Sequence, residues 1–209
     1  MNTVVPKQFL LLAGKPMVMH SMLAFLDAFP EISLILALPR DQFNFWQYLC
    51  KEYAFNAPHQ LVAGGKTRFH SVQNALCVMP GEGLVAVHDA ARPLVSGALI
   101  KKAFLTAELL GNCIPVIPIN ESVRKIVGET SIPVDRNTLR MVQTPQVFHG
   151  ASLKKAYQQD FQERFTDDSM VMESTGETIH LIDGDLSNIK ITNQRDIAFA
   201  EILFEKSHA

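Results

Sequence analysis

"LVAVHDAARPLV" (residues 84–95) decides the fold, because a fully apolar run turns abruptly into charged residues. Its first four residues predict a buried strand, since short apolar runs without alternation are typical of strands covered on both faces. His88, Asp89 and Arg92 follow directly. In an open α/β sheet, ligands bind outside the carboxyl ends of strands, so these side chains are candidates for binding. Alternatively, Asp89 caps the next helix and pairs with Arg92.

Apolar runs of strand length alternate with segments of helical period on both sides of this stretch. Strands are predicted at residues 33–39, 59–65, 84–91 and 112–120. Helices are predicted at residues 15–29, 40–54, 67–79 and 96–110, with another strand, a turn at Asp183-Gly184 and a last helix in the tail. This order is typical of a parallel sheet covered by helices. The predicted fold class is therefore α/β, with a mostly parallel sheet and helices on both faces.

Residues 121–148 interrupt this alternation. Apolar residues alternate with polar ones from Val123 to Val134, and Gly128-Glu129 is a turn signal. These features predict a β-arm. Because its polar and apolar residues are too mixed for a buried central strand, we expect the arm to project from the core and to pack against a second copy of the chain.

Composition excludes several function classes. The 209 residues, 47% of them hydrophobic, suffice for one globular domain. A net charge of -2 gives no general attraction to nucleic acid or to anionic membranes. Cys50, Cys77 and Cys113 lack zinc-site spacing, so we expect buried thiols in a reducing compartment. The apolar runs are too short for a membrane span and no leader is evident, which predicts a cytoplasmic protein.

Further candidates lie in two loops and one strand. In "AGGKTRFHSV", Gly64 and Gly65 allow a ligand to approach the backbone, or they form a plain turn. Lys190 interrupts an apolar strand in "SNIKIT", which places it either in a site or at a solvated edge. Thr166 and Asp167 in "FTDDSMVME" are a good helix start.

The stretch "FLLLAGKP" resembles a strand followed by a phosphate loop, but it has one glycine, Gly14, followed by Pro16. A phosphate loop needs several glycines so that consecutive N–H groups point at one anion. Lys7, in "PKQ", is the better candidate for binding a phosphate in this part of the chain.

The motifs "PKQFL", "GGKTRFHSV", "VHDAARP", "VDRN", "QTPQVF", "TDDS" and "NIKIT" occur in this order. The set resembles the 2-C-methyl-D-erythritol 4-phosphate cytidylyltransferases of the non-mevalonate isoprenoid route, over essentially the whole chain. The resemblance implies a single domain over residues 1–209, a three-layer Rossmann-like fold, and a homodimer interlocked through arms at about 121–148. It also implies Mg²⁺-dependent transfer of CMP from CTP to methylerythritol phosphate.

The resemblance further implies roles for individual residues. Lys7 and Lys190 are the implied catalytic residues, which contact the CTP phosphates and stabilise the transition state. The other implied CTP contacts are Gly64, Gly65, Ser71, Asp89 and Ala90, of which Asp89 is also a possible Mg²⁺ ligand. The implied methylerythritol phosphate contacts are Asp89, Arg92, Ser122, Thr144, Thr166 and Arg136, the last delivered by the arm into the partner's site.

In the family, a first strand and a glycine-rich loop with an arginine precede Pro-Lys-Gln, and this sequence has neither before Pro6. We therefore expect strands 34–38 and 84–88 either to face each other across a slot one strand wide or to pair directly. We also expect weak CTP binding and slow turnover. Two alternatives are the related ribitol-5-phosphate cytidylyltransferase, whose pattern differs at "VHDAARP", "VDRN" and "TDDS", and a truncated, non-catalytic nucleotide-binding protein.

Overall fold

Short strands and helices alternate along residues 6–207, which are the residues that the computed structural model describes. The strands are β1 (Leu11–Leu12), β2 (Lys15–Pro16), β3 (Ile35–Leu38), β4 (Gln60–Ala63), β5 (Leu84–Val87), β6 (Asn112–Pro118), β7 (Val123–Val127), β8 (Thr130–Val134), β9 (Arg140–Val142), β10 (Gln146–His149) and β11 (Leu181–Asp183). The α-helices are α1 (Met17–Ala28), α2 (Phe43–Glu52), α3 (Arg68–Val78), α4 (Gly97–Leu110), α5 (Gly150–Ala156), α6 (Asp168–Glu173) and α7 (Gln194–Ser207). The strands and helices predicted up to residue 120 are confirmed, with shorter bounds.

The main sheet has five strands, in the order β11-β6-β10-β5, with β9 also paired to β6. β11 is parallel to β6, and β10 is antiparallel to both β6 and β5. Strands β5, β6 and β11 therefore run in one direction, and β9 and β10 are the antiparallel members of the sheet. The predicted α/β fold with a mostly parallel central sheet is confirmed.

Helices cover both faces of this sheet because successive strand residues point to opposite sides. On one face, Cys113 and Val147 pack with Ala103 of α4. On the other face, the next residues along the same strands, Ile114 and Phe148, pack with side chains of α3, α5 and α6. The strand alternation therefore produces the three layers that the resemblance implied.

A separate two-stranded sheet consists of β3 and β4 in parallel. Helix α2 packs on it through Trp46, which is fully buried and stacks with Phe9. Within residues 6–207, no ladder joins β3 to β5. Instead, Leu34 and Ala86 both pack against one apolar cluster that includes Phe25 of α1. Direct pairing of these strands, one of the two expected arrangements, is therefore not found among residues 6–207, and the slot one strand wide stays a prediction.

The arm predicted at 121–148 is shorter in the structure. β7 and β8 form a hairpin whose side chains are exposed or half-buried, with Gly128 at φ +59° in its turn. That left-handed conformation favours glycine. β9 and β10 return to the main sheet, where Val147 and Phe148 are fully buried. The interpretation of this last part as arm is corrected, because two adjacent apolar residues are too few to show a strand period.

The cysteines and the helices test two expectations from composition. All three cysteines are free; Cys113 is buried and Cys50 is half-buried, but Cys77 is exposed on α3. The expectation that all three thiols are buried is therefore wrong for Cys77. Over residues 6–207, no helix has the length and the apolar character that a membrane span needs.

Candidate active site

Asp89 lies in the turn that follows β5. The N–H of Arg92 donates to the carbonyl of Asp89 (2.9 Å), which closes this turn. The next helix, α4, is capped by Ser96, whose hydroxyl accepts from the N–H of Leu99 (3.2 Å). The alternative in which Asp89 caps that helix is therefore wrong, and its carboxylate has other partners.

Three cations surround this carboxylate. The ammonium of Lys190 lies 2.7 Å from Oδ2, Nε of Arg68 lies 3.3 Å from Oδ1, and Nε of Arg92 lies 4.0 Å from Oδ2. Burial opposes ionisation of Asp89, but the charges of Arg68 and Lys190 outweigh it and lower its pKa to about 2. Asp89 is thus ionised at neutral pH. The Lys190 side chain remains 41% exposed, so its ammonium is held in place and is accessible to a ligand.

A short hydrogen-bond chain joins Asp89 to Thr144 and His88. The hydroxyl of Thr144 accepts from the N–H of Asp89 (3.1 Å) and donates to Nδ1 of His88 (3.0 Å). Nε2 of His88 then donates to the carbonyl of Arg92 (3.1 Å). This chain requires the neutral Nε2–H tautomer, and burial lowers the pKa of His88 to about 4. Neutral His88 therefore fixes the orientation of the Thr144 hydroxyl.

Lys190 lies in an irregular segment, not in the strand that the sequence predicted. The N–H of Ile191 donates to the carbonyl of Ala91 (2.8 Å), and the amide of Asn188 donates to the carbonyl of Thr144 (2.9 Å). Apolar residues alternate here because Ile191 is buried in a small cluster, and the backbone makes no strand ladder. These bonds fix Lys190 beside the turn after β5.

Arg92, which the resemblance implied as a contact of methylerythritol phosphate, is buried. It is 8% exposed, and its Nη1 and Nη2 donate to the carbonyls of Asn188 (2.8 Å) and Val142 (3.2 Å). Its Nε is buried without a hydrogen-bond partner among the described residues, as is Oδ1 of Asn188. Two of the three guanidinium nitrogens therefore hold the chain's own backbone.

The glycine pair follows β4 and leads into α3. A Cβ on Gly65 would collide with Cβ of His70, so the backbone approaches too closely for any other residue. The N–H of Gly65 donates to the Ser71 hydroxyl (3.0 Å), which in turn donates to the carbonyl of Thr67 (3.0 Å). The hydroxyl proton of Ser71 is thus used within the loop, and the hydroxyl oxygen keeps one lone pair that can accept a hydrogen bond from a ligand. Recognition of cytosine by this loop stays a prediction.

The family model of 2-C-methyl-D-erythritol 4-phosphate cytidylyltransferase matches residues 1–206. The chain belongs to this family. The enzyme of that name from Bacteroides fragilis is 44% identical over 203 residues, which cover 97% of this chain and 93% of the relative. The one from Porphyromonas gingivalis is 46% identical over 200 residues, which cover 95% and 89%. The crystal structure of the Thermus thermophilus enzyme has a TM-score of 0.78 at 29% identity and covers 96% of this chain and 94% of that one. The predicted family and enzyme class, a nucleotidyltransferase, are confirmed.

Asp89 and the side chains bound to it, which are Arg68, Arg92, Thr144 and Lys190, are called the Asp89 cluster below. Several residues to which the resemblance gave roles make no hydrogen bond or ion pair with this cluster among residues 6–207. They are Lys7, Ser122, Arg136 and Thr166, and all four are exposed. Lys7 precedes Phe9, which packs in the same apolar cluster as Ala90. Arg136 donates to the carbonyl of Asn120, and the Thr166 hydroxyl donates to Sδ of Met170 (3.2 Å).

Three residues in or next to the Asp89 cluster were absent from the sequence prediction. Arg68 donates from Nη1 and Nη2 to the carboxylate of Asp168 (2.8 and 2.5 Å), and the Tyr157 hydroxyl donates to the same carboxylate (2.5 Å). Arg68 and Asp168 stand inside the motifs "GGKTRFHSV" and "TDDS", where two opposite charges in two site loops were a usable signal. Tyr157 gave no such signal.

Proposed function

We propose that the chain transfers the cytidylyl group of CTP to 2-C-methyl-D-erythritol 4-phosphate and releases pyrophosphate. A phosphate oxygen of the acceptor attacks the α-phosphorus, and the bond from that phosphorus to the bridging oxygen of the β-phosphate breaks. The product is 4-diphosphocytidyl-2-C-methyl-D-erythritol. The observation that carries the proposal is the exposed ammonium of Lys190, held 2.7 Å from Asp89 at the carboxyl end of β5 in a chain of this family.

Lys190 and Lys7 carry the catalytic part of this proposal. Phosphoryl-type transfer depends on positioning and charge neutralisation, because negative charge is spread over oxygens that lie close together. Asp89 holds the Lys190 ammonium near the site before the nucleotide arrives. Lys7 is an exposed second cation, on a turn that packs in the apolar cluster of Ala90. Compact ammonium groups suit this role because they follow a moving phosphate.

The nucleotide base and sugar occupy the loops after β4 and β5. Gly64 and Gly65 offer a backbone without side chains, and Ser71 offers a hydroxyl oxygen that still accepts a hydrogen bond. Asp89 and Ala90 contact the ribose side of CTP. We assign the cytosine to the first loop because backbone and hydroxyl groups there are fixed before binding, which lowers the entropic cost of recognition.

The acceptor side combines hydroxyl groups with two arginines. Thr144 and Arg92 belong to the Asp89 cluster, and Ser122 and Thr166 are exposed residues that we assign to the same acceptor. Arg136 comes from the arm of a second copy, where its planar guanidinium grips the acceptor phosphate. The hairpin exposes Ile126 (73%) and Ile132 (50%), which favours burial against another chain. We therefore infer a homodimer.

Mg²⁺ fits this donor set as an ion that arrives with the nucleotide. Among residues 6–207, no group of three His, Cys, Asp or Glu side chains is arranged to hold a metal. Mg²⁺ usually takes one or two protein carboxylates and completes its shell with substrate phosphates. Asp89 would share one of the oxygens that pair with Arg68 and Lys190, since each carboxylate oxygen has two lone pairs, and the ion would neutralise charge on the triphosphate. We further infer a cytoplasmic enzyme, which its free thiols favour, without nucleic-acid or membrane partners.

Pyrophosphate release with CTP and Mg²⁺ tests this proposal. We expect release with 2-C-methyl-D-erythritol 4-phosphate, none without an acceptor, and none after the metal is chelated. Release with ribitol 5-phosphate alone would assign the chain to the related activity. Calorimetric CTP binding without release with either acceptor would make it a non-catalytic nucleotide-binding protein.

Within the same assay, Lys190→Ala should lower kcat about 100-fold, with little change in KM for the acceptor, because the charge matters most in the transition state. Lys206→Ala, at the exposed end of α7, is the matched control and should leave kcat unchanged. A rise in KM alone for Lys190→Ala would contradict its role.

A further inference from the structure

Arg68 bridges two carboxylates that belong to different parts of the fold. It is the first residue of α3, three positions after Gly65 in the sequence. Its Nη1 and Nη2 bind Asp168 at the start of α6, and its Nε lies 3.3 Å from Asp89 after β5. One planar guanidinium therefore connects the nucleotide loop, the Asp89 turn and the segment that carries Thr166.

Asp168 has no access to solvent and depends on this cation. Its side chain is 0% exposed, and both of its oxygens accept from Arg68. Tyr157 adds a third bond (2.5 Å), and burial together with Asp168 raises the pKa of that hydroxyl, so it remains a donor. A buried carboxylate without a cation is strongly destabilising. The two hydrogen bonds to this buried carboxylate therefore fix the Arg68 guanidinium on the side that faces Asp168.

The start of α6 is fixed from a second direction by Gln146 of β10. Its Oε1 accepts from the N–H groups of Asp168 (3.1 Å) and Ser169 (3.0 Å), and its Nε2 donates to Asp167 (3.0 Å). Gln146 is fully buried, so these bonds do not compete with water. Asp168 is thus anchored to the main sheet, and a guanidinium bound to it has one orientation.

On its other side, this fixed guanidinium meets the carboxylate that holds Lys190. Asp89 uses Oδ1 for Arg68 and Oδ2 for Lys190, so rotation of the carboxylate would break both contacts. The side chain of Lys190 itself has four rotatable bonds and is 41% exposed, and its ammonium takes its position from Asp89.

We infer that Arg68 is a positioning residue, whose guanidinium orients the Asp89 carboxylate and thereby places the Lys190 ammonium relative to α6. This inference rests on the proposed cytidylyl transfer for its effect on the reaction. The contrary view is that Arg68 only neutralises Asp168, in which case any cation at this position would serve.

Arg68→Lys separates the two views. An ammonium still neutralises Asp168, but it has no planar fork with which to reach Asp89 as well. We expect the variant to fold and kcat to fall about 10- to 100-fold, because small displacements of a charge beside the reacting group cost that much. KM for CTP should change less than kcat. If Arg68→Lys does not fold, the uncharged pair Arg68→Gln with Asp168→Asn replaces it.

Tyr157→Phe is the matched control, because it removes one hydrogen bond from Asp168 and leaves Asp89 untouched. It should lower the thermal stability and retain the wild-type kcat. A loss of kcat in both variants in proportion to their loss of stability would overturn the inference.

A second readout does not depend on turnover. Lysines labelled with 13C at Cε give an NMR signal for Lys190, which Lys190→Arg assigns. That signal should shift in Arg68→Lys and remain unchanged in Tyr157→Phe. An unmoved signal in both would overturn the inference. Absence of pyrophosphate release in the wild-type chain, together with a shifted signal, would instead reject the proposed function alone.

Discussion

His88 connects the turn after β5 to Thr144, and burial together with the hydrogen bonds on its two ring nitrogens favours one protonation state. Nε2 faces the carbonyl of Arg92 and therefore carries the proton of the neutral ring, so Nδ1 is unprotonated and accepts from the Thr144 hydroxyl. A proton on Nδ1 would remove this acceptor. Burial is the largest influence on the pKa of His88 and disfavours the proton, as does the charge of Arg92; together they outweigh the hydrogen bonds to the Arg92 carbonyl and Thr144 and the charge of Asp89, which favour it. The site therefore contains a histidine that must stay neutral.

The first prediction concerns stability against pH. The pKa of His88 is about 4 in the folded chain, and that of an exposed histidine, as in the unfolded chain, is 6.5. Between these pH values the unfolded chain therefore binds a proton and the folded chain does not. Stability should fall as the pH is lowered from about 6.5 to about 4, by about 3 kcal/mol at about 1.4 kcal/mol per pKa unit. His88→Gln should remove this dependence, as urea unfolding at several pH values will show.

The matched control is His149→Gln, which changes an exposed histidine at the end of β10. This variant should keep the wild-type dependence on pH, because it leaves the bonds between His88 and Thr144 intact. Parallel stability curves for the wild type and His88→Gln between about pH 4.5 and about pH 7.5 would contradict the assignment of a neutral buried ring, with the range chosen to bracket the ordinary histidine pKa of about 6.5.

At the scale of elements, the sequence predicted what hydrophobic period and turn chemistry determine. The strand at 84–87, the helices around it and the turn at Gly128 follow from local pattern. β10 was missed because its burial comes from pairing with β5 and β6, which are distant in sequence. Apolar and polar residues alternate around Lys190 as they do in a strand. The backbone there, however, donates a hydrogen bond to the turn after β5 and not to a neighbouring strand.

The site, like the elements, was predictable where motifs along the chain indicate it and not where it depends on contacts between distant segments. The resemblance gave Asp89 and Lys190 as contacts of the same nucleotide, and in the structure their side chains lie 2.7 Å apart. The bridge from Arg68 to Asp168 spans 100 positions of sequence and depends on the packing of α3 against α5 and α6, which no local pattern contains. Burial of Arg92 also depends on the return of the chain through Val142 and Asn188.

The hairpin of β7 and β8 gives the second prediction. Neither strand contributes a buried residue, so the hairpin adds little to the core of one chain. Ile126→Asp should leave the circular dichroism of the chain unchanged and weaken dimerisation at least about tenfold, a cost of about 1.4 kcal/mol for placing a charge in an apolar interface. Sedimentation over a dilution series measures the change.

Leu109→Asp is the control for this substitution, because Leu109 is 82% exposed and belongs to α4, not to the hairpin. It should leave the dimer intact. Dissociation by Leu109→Asp and not by Ile126→Asp would place the interface on α4 and would reject the arm as the contact between subunits.

At the scale of the whole molecule, the Asp89 cluster and the arm are separate parts of one chain. Lys190, Arg68 and Thr144 converge on Asp89, whereas Arg136 bonds to the carbonyl of Asn120 at the base of the hairpin. We propose that in a dimer the arm of one chain reaches the cluster of the other, and two-fold symmetry then makes this exchange reciprocal. The proposed site is then composite, with Lys190 and Arg136 from different chains.

The last prediction tests this composite site by mixing two inactive variants. An Arg136→Ala chain retains Lys190, and a Lys190→Ala chain retains Arg136, so a hybrid dimer has one complete site if Arg136 acts in the partner. Random exchange makes half of the dimers hybrid, which should restore about a quarter of the wild-type pyrophosphate release. If Arg136 acts within its own chain, each chain of the hybrid lacks one of the two cations, and mixing should restore nothing. Adding Ile126→Asp to both variants should abolish the rescue, because rescue through the arm requires the dimer, whereas rescue that survives this change would have to come from another interface.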